Sequence, residues 1–114
     1  MEHEKQLQGQ IARTLGRFAE IHLGVKPHTV FVDIHERSVV VTLENIVPPV
    51  EQDYARDNQN HELLDRSYAG AYACTRRTAE IEVEQILNRG VESSMMRIDL
   101  GSGNAYLLFN LTNG

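Results

Sequence analysis

Apolar residues in the first part of the chain recur at Leu7, Ile11, Leu15, Phe18 and Ile21. That spacing puts them on one stripe of a helix over Glu4–Leu23, with Gly24 as its stop and Pro27 barring continuation. Gly9, Ala12, Gly16 and Ala19 run beside the stripe and suit close packing against a sheet or a second helix. The pattern then changes period. "TVFVDI" and "SVVVTLENI" are β-branched and alternate, and only His35, Glu36 and Arg37 separate them, so they predict a hairpin. Val30, Val32 and Ile34 share one face, as do Val39, Val41 and Leu43.

Pro48 and Pro49 close the second strand, and a proline suits the first turn of a helix, where its missing N–H would have had no partner. A short helix from Pro49 to Arg56 is expected. The polar stretch "RDNQNH" reads as a turn. After it, Leu64, Tyr68, Ala71, Thr75, Ala79, Val83 and Ile86 mark the stripe of one long helix over His61–Arg89, with Gly90 as terminator. "ESSMMRIDL" and "NAYLLFNL" alternate as strands around a Gly101–Ser102–Gly103 turn, with Met96, Ile98 and Leu100 on one face. On the partner strand, Ala105, Leu107, Phe109 and Leu111 share a face.

These elements predict a single α+β domain over residues 1–114 in the order αββααββ. Two hairpins would form a four-stranded sheet with the two main helices on one face. Phe31, Val40, Met95, Tyr106 and Leu108 would then point away from the helices.

With 41% hydrophobic and 24% charged residues, the chain lies in the globular range. A net charge of −5 argues against nucleic acid, whose phosphates reward clustered Lys and Arg. No apolar run approaches the roughly 20 residues of a membrane span, and the first residues lack the cationic start and apolar core of a secretory signal. A cytoplasmic protein is therefore expected, and the single cysteine, Cys74, fits a reducing compartment. Asn110, Leu111 and Thr112 form a glycosylation triplet, which has no meaning without secretion.

Candidate chemistry is sparse. The five histidines show no metal-site spacing, and His28 and His35, at opposite ends of a strand, cannot share an ion. Cys74 is expected to be a partly buried small residue. "GSGN" is followed by no helix that could aim N–H groups at a phosphate, and it reads as a hairpin turn. Glu80, Glu82 and Glu84 are expected on a solvated helix face, because residues two apart do not form one acid/base site. Glu62 and Arg66 are spaced for an ordinary helical ion pair. Glu51 stands in a first helical turn, where the macrodipole favours an acid.

Taken together, Gly24 and Pro27 before the first strand, "LENIVPPVE" after the second, Arg66 and Tyr68 early in the long helix, Asp99 after the third strand, and Phe109 and Leu111 at the end resemble the MpsC-like family. That family is a set of small bacterial domains named for a sodium-translocating, membrane-potential-generating system. The resemblance runs through nearly the whole chain and contains no catalytic signature. This chain has Asn45 where glycine is common and Pro48 where threonine is common, and its second hairpin is short at the turn.

The resemblance implies a cytoplasmic accessory protein working with a membrane ion or inorganic-carbon transport system and peripheral to the membrane through a partner. The expectation is a non-catalytic regulatory module without a cofactor. Its partners would be a second copy of itself, as a homodimer or other homo-oligomer, and a membrane transporter subunit. Glu51, Arg66 and Asp99 are the candidate contacts. The alternative is a sensor of a small anion or nucleotide, or a minor enzyme, with a site near the Pro48–Glu51 corner and Arg66.

Overall fold

A computed structural model describes residues 2–113. Helix α1 (Glu2–Phe18) runs into a π-helical turn (Ala19–Leu23). Strands β1 (Thr29–Ile34) and β2 (Ser38–Glu44) follow, then the short α2 (Pro49–Tyr54), the long α3 (Asn58–Leu87), and strands β3 (Val91–Asp99) and β4 (Asn104–Leu111). The α+β class, the element order and the four-stranded sheet agree with the sequence pattern.

The two hairpins join through their inner strands, giving the antiparallel order β1-β2-β4-β3. At the junction Val39 faces Phe109, Val41 faces Leu107 and Leu43 faces Ala105. All six side chains are fully buried. Helix α1 packs on β1, α3 packs on β3, and the two helices touch each other, so both lie on this inner face. Gly16 shows how closely α1 lies on the sheet: a Cβ there would sit 3.5 Å from Val30 Cγ2.

Four details differ from the pattern. Ile21 was placed on the buried stripe, yet it is 66% exposed. The π turn adds a residue to the helical repeat, so after Phe18 the chain buries Ala19 and Leu23 instead. Strand β2 stops at Glu44, because Asn45 adopts a left-handed φ of 55° and swings Ile46 and Val47 under the sheet. Helix α3 starts earlier than His61: Asp57 caps it, its side chain accepting from Gln59 N at 2.9 Å and Asn60 N at 3.4 Å. It ends at Asn88, again left-handed at φ 54°, and not at Gly90. Gly90 is instead needed for close approach, since a Cβ there would lie 2.9 Å from Thr112 Oγ1.

Helix α3 has 30 residues, about 45 Å of rise. It sets the 44 Å long axis of the molecule and overhangs the sheet. The β3–β4 turn anchors the chain beneath that overhang. Gly103 O accepts from Ile46 N at 2.8 Å and Val47 N at 3.2 Å, and Gln52 Nε2 donates to Val47 O at 2.8 Å. Gly103 has a φ of 82°, and a Cβ there would stand 2.6 Å from Gln52 Nε2 and 3.3 Å from Val47 O.

Gly103→Ala is therefore expected to destabilise the fold by about 1–3 kcal/mol. Gly70→Ala, at a mid-helix site with open space around it, should stabilise by about 0.5–1 kcal/mol. Urea denaturation of the two variants checks both signs.

Candidate functional site

"LENIVPPVE" makes the sharpest corner of the chain. Asn45 turns it, Pro48 holds it extended at φ −60° and ψ 150°, and Pro49 opens α2. The corner aims Glu51 at α3, where the Tyr68 hydroxyl donates to Glu51 Oε1 at 2.9 Å. Burial first, then the bond to Glu51 and its charge, raise the Tyr68 phenol well above the ordinary tyrosine range. The pair ties the corner to α3, and among the described residues Glu51 Oε2 has no hydrogen-bond partner.

Beside this pair opens a cleft of about 530 Å³. Its walls come from three places: Leu23 to Lys26 after the π turn, Asn45, Ile46, Pro48 and Glu51 at the corner, and Leu64, Ser67, Tyr68 and Ala71 on the overhanging part of α3. The apolar groups form its sides, and Lys26, Asn45, Glu51, Ser67 and Tyr68 supply its polar ones. Among the described residues Lys26 makes no ion pair.

The three candidate contacts do not converge. Glu51 lines the cleft; Arg66 does not, and its exposed side chain reaches back to Glu62 at 3.7 Å. Two residues along a helix turn the side chain by about 200°, so with Tyr68 facing the cleft Arg66 faces away. Asp99 is the last residue of β3 and braces the turn that follows: its Oδ1 accepts from Gly101 N at 3.1 Å and its carbonyl from Gly103 N at 2.8 Å. Tyr68 and Lys26 were not singled out as site residues. Tyr68 belonged to the apolar stripe and to the family resemblance but was given no role of its own, and nothing local marks a lysine two residues after a helix stop.

A second polar cluster corrects the reading of Glu80, Glu82 and Glu84 as a solvated face. Glu80 is only 5% exposed. Its Oε2 accepts from Ser94 Oγ at 2.6 Å, and Ser94 in turn lies 2.7 Å from the Tyr72 hydroxyl, which must be the donor in that bond. Arg77 Nη1 bonds Glu80 Oε1 at 3.2 Å, and Arg76 Nε stands 3.7 Å from Oε2. Burial, against the Ser94 bond and aided by the Glu80 charge, pushes the Tyr72 phenol up to about 12. The cluster ties α3 to β3 and its members satisfy one another, so its role is structural. Cys74, expected to be partly buried, is exposed, because it lies off the stripe that meets the sheet. Among the described residues no group of three or more His, Cys, Asp or Glu could hold a metal ion.

The fold and site define a small two-layer α+β protein with a lateral cleft at one end of its helix layer. No helix of the described residues is long and apolar enough to cross a membrane. The family model for MpsC, described as a Na+-translocating membrane potential-generating system, matches residues 3–113, and the chain belongs to that family. Neither a curated protein nor a solved structure matches it. Three positions that carry the family resemblance, Gly24, Glu51 and Tyr68, come from three separate stretches and meet in the cleft, beside Asn45 and Pro48, where the chain departs from the family pattern.

Two carboxylates on α3 should report opposite pH behaviour. Glu82 Oε2 is buried and, among the described residues, finds no hydrogen-bond partner; desolvation raises its pKa, partly offset by His22 and Arg17. Its ionised form therefore costs stability as pH rises through the folded pKa. Glu84 is lowered by the bond from Val91 N, at 2.7 Å, and by Arg77, so its contribution is present at neutral pH and lost on acidification. Glu82→Gln is expected to raise the melting temperature at pH 7 and Glu84→Gln to lower it. Both differences should shrink towards zero as pH falls below about 4, where unfolded carboxylates protonate.

Proposed function

We propose that this protein is a non-catalytic accessory module of a Na+-translocating membrane-potential system, held at the cytoplasmic surface by a membrane subunit that it docks through the cleft. The observation that carries this reading is the convergence of the family-pattern residues on the cleft around Glu51. They build a shaped acceptor surface, and among the described residues no nucleophile–base pair or metal-ligand set stands beside them. The chemistry of the cleft indicates what docks there. Glu51 Oε2 has no hydrogen-bond partner among the described residues, the helix ending at Leu23 turns its carbonyl end this way, and the chain carries a net charge of −5. Cytoplasmic loops of membrane proteins are enriched in Lys and Arg. A basic side chain from such a loop would bond Glu51 while its stem packs on Leu23, Ile46 and Leu64.

A second reading, a small-anion or nucleotide sensor, is favoured by one feature, the unpaired Lys26 ammonium in a cleft of ligand-pocket size. On that reading nucleotides, phosphate or bicarbonate raise the melting temperature, and Lys26→Ala abolishes the rise. The docking reading expects no such shift.

For the leading reading, tagged protein purified from membranes of its native cell should bring down an ion-translocating membrane subunit. Glu51→Lys should cut the yield of that subunit at least tenfold without lowering the amount of folded protein. Recovery of the protein alone, or an equal yield with the Lys variant, would contradict it.

A further inference from the structure

The helices cover one face of the sheet and leave the other bare. On the bare face the register places Phe31, Thr42, Tyr106 and Arg97 side by side on one rung. Asp33, Val40, Leu108 and Met95 occupy the next rung. Phe31 is 52% exposed, Met95 41% and Tyr106 38%, and Val40 and Leu108 lie half-buried between them. Five apolar side chains thus form one continuous patch across four strands. The two charges on these rungs sit at its opposite edges, Asp33 on β1 and Arg97 on β3, and neither makes an ion pair in the monomer among the described residues.

That arrangement is self-complementary. Two identical sheets can stack face to face about a twofold axis lying between them, either along the strands or across them. An axis across the strands puts β1 over the partner's β1 and leaves each Asp33 facing apolar side chains. An axis along the strands puts β1 over the partner's β3, with Asp33 one rung from the partner's Arg97. A rung is about 6.7 Å, within the reach of an arginine side chain, and the usual tilt of stacked sheets is small enough to keep the pair in range. The same axis lays Val40 and Leu108 of each copy over one another.

We infer that the bare sheet face is the interface of a homodimer, two copies stacked about an axis along the strands with two symmetric Asp33–Arg97 pairs at its edges. This inference goes beyond the proposed docking role and does not rest on it; the cleft lies on the helix layer, so a dimer would present two open clefts. The face is four strands wide and about four rungs long, and two copies would bury on the order of 1,000 Å². That is the lower end of specific interfaces and sets a micromolar dimer.

Sedimentation velocity over a concentration series tests it. The wild type should pass from monomer to dimer with a Kd in the micromolar range. Asp33→Arg alone sets Arg against Arg at both edges and Arg97→Asp alone sets Asp against Asp, so each should weaken dimerisation at least tenfold. The double variant D33R/R97D restores opposite charges and should recover the wild-type Kd to within about threefold. Both positions of charge change are exposed strand positions, and circular dichroism confirms that each variant is folded. A wild type that stays monomeric at several hundred micromolar overturns the inference, as does a dimer indifferent to the single swaps. Single variants that weaken the dimer with no recovery in the double variant overturn the proposed axis and with it the inference.

Discussion

The antiparallel pairing of β2 with β4 is the contact on which the molecule depends. Each half of the chain supplies a hairpin and a helix, and a two-stranded hairpin by itself is marginal in water. The junction makes one sheet from two ribbons and aligns Val39, Val41 and Leu43 with Phe109, Leu107 and Ala105 as a continuous buried strip. Both helices rest on that strip, α1 on the β1 side and α3 on the β3 side. Cross-strand pairs of this kind are the unit of sheet stability, and here they also fix where the helices lie.

The cleft follows from the same contact. With β4 beside β2, the β3–β4 turn arrives under the corner after β2, and Gly103 accepts the Ile46 and Val47 amides. That holds α2 in place and aims Glu51 upward. A helix of 30 residues is longer than the sheet beneath it, so its first turns project past the edge and carry Tyr68 and Leu64 over the corner. The site is the gap between a fixed corner and an overhanging rod. The opposite face of the sheet, which no element of the described residues covers, is the face we infer to pair two copies. The two faces are independent, so partner docking and self-association need not compete.

Much of the fold was legible because alternation and helical spacing are local signals. "TVFVDI" and "NAYLLFNL" declare both their strand character and which side faces the core. What was not legible depended on backbone choices without a strong composition signal. One inserted residue in a π turn moved Ile21 into solvent and Leu23 into the core. Asn88 took the left-handed position two residues before the glycine that seemed suited to it. Glu80 looked like a surface acid because its partner Ser94, on the strand after the helix, and Tyr72, which bonds Ser94 in turn, come together beside it only in the folded chain. Glu51 and Tyr68 each stood out for separate reasons. That they touch could not be read, because it depends on how far α3 extends beyond the sheet. Arg66, two residues from Tyr68, was paired with the corner in sequence but points away from it in space.

Native-state hydrogen exchange tests the central claim most directly. If the β2–β4 junction makes the two halves one cooperative unit, the inward amides of β1–β2 and of β3–β4 should exchange only by global unfolding, with equal opening free energies that fall together as urea is added. Amides of one hairpin exchanging through a separate, lower-energy opening, while the other stays protected, would show two weakly coupled ribbons and contradict the account.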